Sequence, residues 1–479
     1  MDFATVVSTV DGWIWGHFMM FVLVGTGIYL TIRMRFIQVR LFKHGWSLIS
    51  GRWDDPKDRG ETTHLQALST ALSATIGTGN IAGVATALVA GGPGAVFWMW
   101  VTGLVGMCTK GVGSILSQRY REIDAEGVVA GGPMYYLRDG LRAPWLGWLF
   151  AFFTAIAAFG IGNMVQANSV ADPISRYLGR GSGFELGSMG YVAWSKLGIG
   201  VVLAVLVAFV IIGGVRRIAR VAEKIVPLMA VLYVVFALMI LATRVDAIPA
   251  AFAAIFRGAF SATAVGGGVV GYTFSQAMRH GIARGLFSNE AGLGSASIAH
   301  ASAKTKEPVR EGLVSMLGPF IDTITICTIT ALVIITSGIL GLSENNGAAL
   351  SAEAFETGLP GFGAHLVSFG LVFFAFTTII GWSYYGDRSI YFLFGHHGKR
   401  AVRTYHWIYV ALIPIGAAVK LEVIWGVADI FNGLMAFPNL VALIGLSGVL
   451  ARMVRDYDQR LPQMRPYRDH HDLWFMKWR

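Results

Sequence analysis

Sulfur chemistry is nearly missing from this sequence: 479 residues contain two cysteines, Cys108 and Cys327, each inside an apolar stretch and neither at metal-ligand spacing. That excludes a disulfide framework, a cysteine-based zinc site and a paired-thiol redox motif. Charge is scarce as well. Asp, Glu, Lys and Arg make up 14% of the residues, against about 25% in soluble domains, which excludes an ordinary soluble fold. There is no phosphate-binding Gly-x-x-x-x-Gly-Lys loop, no helical His-x-x-x-His pair and no exposed-serine turn, so hydrolysis of ATP or of an ester has no motif to rest on. His396-His397 and His470-His471 read as solvated residues of a loop and the tail. Basic residues outnumber acidic ones 38 to 28, without the aromatic interleaving that would point to nucleic acid.

What is present is apolar length. Hydrophobic residues make up 54% and glycine contributes 60 residues, with a mean hydropathy of +0.59, the profile of an all-α polytopic membrane protein. Eleven stretches are long enough to cross roughly 30 Å of hydrocarbon: 13–32, 65–89, 95–118, 146–172, 194–213, 221–243, 257–278, 313–340, 364–386, 404–419 and 424–451. The first has Asp2 and Asp11 ahead of it and no small-residue cleavage site, so it reads as a retained helix and not as a signal peptide. Cytoplasmic loops collect Lys and Arg. With the N-terminus outside, the inward loops and tail hold 31 of the 38 basic residues, five of them from Arg279 to Arg310; six lie outward, and Lys110 lies within a span. Eleven spans with the N-terminus out and the C-terminus in follow from that bias, and the net charge of +10 reflects this orientation and attraction to an anionic leaflet.

One span is interrupted. Ser73-Ala74-Thr75-Ile76-Gly77-Thr78-Gly79-Asn80 sits in the middle of 65–89, and its two glycines each weaken a helix by roughly 1 kcal/mol relative to alanine. In hydrocarbon an unpaired backbone group costs several kcal/mol, so irregular backbone at that depth needs protein, water or ligand to replace its hydrogen bonds. A small-residue packing face would account for Gly-x-Gly alone; the polar run and Asn80 favour a binding cavity.

The chain reads as one domain, 1–479, with an internal duplication. After the extra helix 13–32, ten spans divide into five (65–243) and five (257–451), followed by an inward tail, 452–479. Each set opens on a glycine-interrupted span, Gly77-Thr78-Gly79 in the first and Gly266-Gly267-Gly268 with Gly271 in the second. Because five is odd, the two sets enter the membrane from opposite sides, the pattern of an inverted-repeat secondary transporter with its site at the breaks.

Longer blocks carry a resemblance. Ala71 to Ala87, Gly91-Gly92-Pro93-Gly94-Ala95-Val96-Phe97-Trp98-Met99-Trp100, Gly132-Pro133-Met134-Tyr135-Tyr136, Arg284 to Ala296, and Thr377-Thr378-Ile379-Ile380-Gly381-Trp382-Ser383-Tyr384-Tyr385-Gly386 together resemble the alanine or glycine:cation symporter family, in order, from about residue 60 to 450. The resemblance implies sodium-coupled uptake of alanine or glycine across a prokaryotic cytoplasmic membrane, on a LeuT-like 5+5 fold with one added N-terminal helix. No cofactor is implied; sodium is the coupling ion. It also places a sodium cage between the carbonyls of Ser73 and Ile76 and the hydroxyls of Thr377 and Thr378.

An amino acid presents a carboxylate and an ammonium, and a broken helix offers free amides on one half and free carbonyls on the other. The carboxylate is expected at the N–H groups of Gly77, Thr78 and Gly79, with Thr75 and Asn80 nearby. The ammonium is expected at carbonyls of the second broken helix and at Gln166. Gln166 and Asn168 could equally serve interhelical hydrogen bonds, and the threonines could simply back-bond to the preceding turn. Trp382, one turn beyond Thr378, is expected to wall the pocket with Phe274 and Met278, although aromatic and Met residues at helical spacing often just pack. Of the charged residues in spans, Lys110 is placed to snorkel and Asp172 to reach outer water. Asp322 could carry a proton or cap a kink after Pro319. Glu290 is either an inner gate or a solvated helix start. A proton-coupled carrier is the alternative function, ahead of a channel or a membrane enzyme; for the enzyme no convergent acid, base or nucleophile is evident.

Overall fold

A computed structural model describes residues 3–178, 183–185, 191–260, 269–419 and 422–467. Helices dominate, and the strands among the described residues form two short antiparallel pairs, Glu122–Ile123 with Val129–Ala130 and Gly183–Glu185 with Tyr191–Ala193. Among these residues eight helical segments are long and apolar enough to cross a membrane, nine when the bent pair His64–Thr75 and Gly79–Gly91 counts as one span. One of the eight, Gly363–Ala418, covers 56 residues. At 1.5 Å per residue that is about 84 Å of helix, far more than about 30 Å of hydrocarbon needs. It folds back at Gly395, φ 51°, into the helices Gly363–Phe394 and Gly398–Ala418.

The chain's loops separate into two ends. At one, the basic end, Arg40 pairs with Asp458 at 2.9 Å and Arg460 with Glu307 at 2.6 Å. Arg121 donates there to the carbonyls of Ala301 and Ala303 at 2.7 and 2.6 Å. At the other end Lys196 pairs with Asp172, and Trp15 Nε1 donates to the Asp429 carbonyl at 2.9 Å. The extra N-terminal segment is two helices, Phe3–Ile14 and His17–Arg33. It docks on Glu422–Gly445 through Gly426 and Gly433, seven residues apart on one helical face. A Cβ on Gly433 would come within 2.5 Å of Ile14, so the missing side chain is what lets the helices meet.

Two sequence expectations change here. The span expected at 257–278 is instead a helix Ile248–Phe260 followed by Val269–Asn289; Gly266, Gly267 and Gly268 lie outside the described residues, and Gly271 falls inside the second helix. That helix carries Arg279 and Arg284 towards the end opposite the basic one, beside Asp11 and Asp429. The inward loop therefore keeps three of its five expected basic residues, Lys304, Lys306 and Arg310, and the charge bias narrows.

Candidate functional site

The first break begins cleanly. Thr63 caps the helix His64–Thr75 with its hydroxyl accepting from Gln66 N–H at 3.2 Å, while Gln66 Oε1 accepts from Thr63 N–H at 3.1 Å. After Thr75 the backbone turns extended at Ile76, ψ 95°, and the second half, Gly79–Gly91, departs at 55°, starting with a π-helical turn Gly79–Gly83. Asn80 holds the turn: its Oδ1 accepts from Gly77 N–H at 3.0 Å, and its own N–H donates to the Gly77 carbonyl at 3.3 Å. In a continuing helix Gly77 N–H would bond the Ser73 carbonyl, so giving it to Asn80 frees that carbonyl. The same bond removes Gly77 N–H from the set expected to hold a carboxylate. The amides of Thr78 and Gly79, at the positive end of the second half-helix, remain at the cavity.

A small cavity opens against this break, and both the break and its neighbours line it: Thr75, Gly77, Thr78, Gly79, Gln166, Thr378 and Trp382, with Ala74, Ile161, Phe287, Glu290 and Asn432. Gln166 follows a π-helical turn, Gly160–Met164, that interrupts the span expected at 146–172, a distortion that recurs at functional sites. Its Nε2 donates to the Ile161 carbonyl at 3.1 Å. Its Oε1, and Asn432 Oδ1 across the cavity, are buried acceptors with no partner. Buried polar groups are rarely left so, and two such oxygens on one cavity are matched by a cationic donor. Trp382 is 1% exposed; it packs against Gly162, where any side chain would overlap its ring, and edge-on to Tyr385 at 5.4 Å.

The second break lies at Glu290 to Ser295, in the segment expected to be an inward loop. Val269–Asn289 stops, the chain passes through Glu290, Gly292 and Gly294 with φ of 55°, 91° and 93°, and Ala296–His300 resumes. Left-handed backbone is ordinary for glycine and uncommon for glutamate; such strain clusters at functional sites. Neighbouring helices take up the freed carbonyls. Lys110 Nζ donates to Asn289 O at 3.0 Å, and Asn439 Nδ2 to Gly292 O at 2.7 Å. Glu290 is buried, accepts from Ser295 Oγ at 2.6 Å, and lies within hydrogen-bonding reach of the Trp382 indole. It is not solvated; it lies in the break itself, between two buried helices. Lys110, buried beside Glu290, does not snorkel.

Asp322 joins the two breaks. It sits fully buried in a π-helical turn, Phe320–Cys327. Its Oδ1 accepts from Asn80 Nδ2 at 2.6 Å, and its Oδ2 from Ser288 Oγ and Thr323 Oγ1, both at 2.8 Å. One carboxylate thus holds the turn of the first break and the last helical turn before the second.

Other expected residues fall elsewhere. Thr377 back-bonds to Phe374 O at 2.9 Å and reaches Met229 of the Gly214–Ala242 helix, so it does not line the cavity; Thr378 back-bonds too, at 2.9 Å, but does line it. Ser73 and Ile76 are buried in the first broken helix, one residue and less than a turn from Ala74 on the cavity wall. Phe274 packs edge-on against Trp98 at 6.0 Å and Met278 against the core; Phe287 takes the wall position given to them. Asn168 spends its amide on carbonyls at the end of the Gly398–Ala418 helix. Asn432 and Phe287 were missed. An Asn inside the apolar span 424–451, one of two there with Asn439, was the available signal for the first; Phe287 had none once its segment was read as a loop. Among the described residues no group of three or more His, Cys, Asp or Glu could hold a metal.

The sequence profile of the sodium:alanine symporter family matches residues 1–470. The chain belongs to that family. Its similarity to the sodium/alanine symporter AgcS of Methanococcus maripaludis is 46% identity, over 96% of this chain and 98% of that one. A probable sodium/glutamine symporter, GlnT of Bacillus subtilis, is 33% identical over 95% of this chain and 91% of its own. Among solved structures, MhsT in complex with L-phenylalanine superposes with a TM-score of 0.54 at 12% identity, over 83% of this chain and 98% of that chain, which shows a LeuT-like fold. Sodium:alanine symporter family proteins are amino-acid transporters of the membrane, and the broken, buried helices described above are those of such a multi-pass carrier.

Proposed function

We propose that this protein takes up alanine or glycine in symport with sodium by alternating access, from one domain of eleven spans: an extra N-terminal helix and two inverted sets of five, N-terminus out, in a prokaryotic cytoplasmic membrane. Splitting Gly363–Ala418 at Gly395 and counting Val269–Asn289 with its continuation brings the nine apolar segments to eleven. The observation that carries the substrate reading is the pair of unpartnered amide oxygens, Gln166 Oε1 and Asn432 Oδ1, facing a helix N-terminus across one small cavity. The amides of Thr78 and Gly79 hold the carboxylate and the two oxygens hold the ammonium. Trp382 and Phe287 bound the space left for a side chain, so one methyl group fits better than a branched chain. Sodium lies beside the break, on the freed Ser73 carbonyl, the Ile76 carbonyl and the Thr378 hydroxyl, with Thr377 one position away.

Coupling follows if ion and amino acid both favour the conformation in which the halves of the first broken helix hold their 55° bend. Release then requires the basic end to open. There Glu311 is shared by His64 and His300, with His300 Nδ1 at 2.5 Å, and Gln118 Nε2 donates to His300 O at 2.6 Å. These bonds tie the start of the first broken helix to the end of the second.

The test is uptake of labelled alanine by the purified protein in liposomes, under an inward sodium gradient, a potassium substitute, or a proton gradient without sodium. Sodium-dependent uptake that weakens in Thr378→Ala supports the reading. Uptake indifferent to sodium and driven by protons sinks the coupling claim.

A further inference from the structure

At the basic end, a cleft of about 300 Å³ with its open mouth included lies between the extra N-terminal segment and the helix Ser447–Arg460. Its lining carries four arginines, Arg33, Arg35 and Arg40 from the first side and Arg455 from the second, against one acid, Asp458. Arg33 ends the helix His17–Arg33 and Arg40 ends the short helix Ile37–Arg40; between them Arg35 and Phe36 both take left-handed backbone, φ 55°. Two such residues in succession, neither of them glycine, are strained, and strain of this kind persists only where its surroundings fix it. Arg40 fixes it here: Nε donates to the Arg35 carbonyl at 2.7 Å, and Nη2 to the Met34 carbonyl at 3.4 Å and to Asp458 Oδ2 at 2.9 Å. The acid of the cleft is thereby occupied. Arg33, Arg35 and Arg455 are exposed, and their guanidiniums make no hydrogen bond or ion pair among the described residues. Other arginines at this end do find acids, Arg138 with Glu122 and Asp139, and Arg460 with Glu307.

We propose that this cleft binds the phosphate headgroup of one anionic phospholipid, which bridges the extra N-terminal segment and the helix before the tail. Guanidiniums suit a phosphate in a forked, charge-assisted geometry, and three of them with no acid of their own converge on one place. Phosphate is the chemistry that a lipid headgroup shares with the free anion. The lipid is favoured by what runs up to the cleft: Ile28 and Ile32 are exposed one turn apart on one face of His17–Arg33, and Phe36 and Val39 are exposed just beyond. An acyl chain laid along Ile28 and Ile32 sets its headgroup level with Arg33, where that helix ends. A neutral headgroup would leave the arginines unmatched, and a free anion would make no use of the apolar strip. The two sides of the cleft are already joined on the membrane side by Tyr29 Oη and Ser447 Oγ at 3.0 Å. The lipid adds a charged tie beyond that bond, between Arg33 and Arg35 on one side and Arg455 on the other, and so fastens a segment that lies outside both repeats.

The experiment counts lipid on the purified full-length protein by native mass spectrometry, with dioleoyl phosphatidylglycerol, dioleoyl phosphatidylcholine or inorganic phosphate added. Wild type should hold one phosphatidylglycerol at least tenfold more tightly than phosphatidylcholine, and an excess of phosphate should not displace it. The triple variant Arg33→Gln/Arg35→Gln/Arg455→Gln should lose that preference. Arg216→Gln/Arg217→Gln/Arg220→Gln, which removes the same charge from the start of the Gly214–Ala242 helix, should keep it. Each variant is checked for an unchanged unfolding midpoint in detergent, and Arg455→Gln alone, on an exposed position of its helix, should weaken the preference severalfold where the triple variant does not fold. Equal affinity for the two lipids, or a preference that survives the cleft changes, overturns the site. Equal loss in both triple variants reduces it to a general attraction of the basic end and overturns it too. Displacement by phosphate makes it a site for the free anion and overturns the lipid.

Discussion

The two helix breaks solve one problem in opposite ways. At the first, a residue three positions away does the work: Asn80 accepts the stray Gly77 amide, and its own N–H closes on the Gly77 carbonyl. At the second, the stray carbonyls are taken by residues remote in sequence, Lys110 on Asn289 and Asn439 on Gly292, with Tyr136 in turn holding Asn439 at 2.5 Å. A break closed from within can keep its shape while neighbours move. A break closed from outside is shaped by them, so its geometry changes when helices shift against each other. The first is therefore suited to be the constant part of the binding site and the second the part that senses the state of the bundle.

Asp322 is where that division should fail most visibly, because it serves both breaks. Asp322→Ala removes the carboxylate that accepts from Asn80, Ser288 and Thr323; Asn80 and Ser288 keep only longer contacts, to Cys327 Sγ at 3.4 Å and, for Asn80, to the residue-322 carbonyl at 3.3 Å, and each bond lost costs about 1–3 kcal/mol. Alanine uptake should fall by more than tenfold and the unfolding midpoint should drop. Asp322→Asn, which keeps one acceptor oxygen, should recover part of both. Full uptake in Asp322→Ala would show that the breaks do not depend on a shared clamp.

The next contrast separates the breaks themselves. A Cβ at Gly77 would lie 2.7 Å from Thr378 Oγ1, in the site but not in the fold's supports, so Gly77→Ala should abolish uptake while shifting stability little. At Gly292, φ 91° and a Cβ 2.6 Å from Leu23 put strain into the contact with the extra N-terminal segment. Gly292→Ala should lower the unfolding midpoint as well as uptake, by several degrees. Equal stability losses in the two variants would erase the distinction between a locally closed and a remotely closed break.

The same contrast explains what could be read in advance. The first break stands in an apolar span with its own Gly-Thr-Gly-Asn, so period, composition and polar content all pointed to one place, and Gln166, Thr378 and Trp382 duly meet there. The second was hidden because the helix leading to it carries Arg279, His280 and Arg284, which lowered its hydropathy and drew the expected span back to 257–278. The glycine cluster at 266–268 then looked like the break. Nothing local marks Lys110 or Asn439 as supports, since their partners lie 179 and 147 residues away. That knowledge exists only in the packing. Phe274 and Met278 were misplaced for the same reason, one helix register following another.

Support from outside should also be separable from support from within by side-chain removal. Asn80→Ala takes the acceptor from Gly77 and a donor from Asp322 together, and should raise the alanine concentration needed for half-maximal uptake by tenfold or more. Lys110→Met leaves the Asn289 carbonyl unpartnered and Glu290 without its nearest cation. Its larger effect should fall on turnover, because the second break is the one that must reshape between states. If Lys110→Met changed apparent affinity alone, the second break would belong to the static part of the site.

The smallest effect tests the wall. Trp382 and Phe287 bound the side-chain space from the two sides, one on the Gly363–Phe394 helix and one in the last turn before the second break. A methylene in an apolar pocket is worth about 1–3 kcal/mol, or roughly 10–200-fold in discrimination. Trp382→Phe enlarges the fixed wall, so it should improve uptake of larger neutral amino acids relative to alanine by about tenfold at most, the low end of that range, while keeping sodium dependence. Phe287→Leu opens the wall on the side that moves, where the pocket can close again around a small substrate. Its change in the same ratio should be the smaller of the two, measured as competition by leucine against labelled alanine in liposomes. A larger change from Phe287→Leu would make the second break, and not the fixed indole, the element that sets specificity.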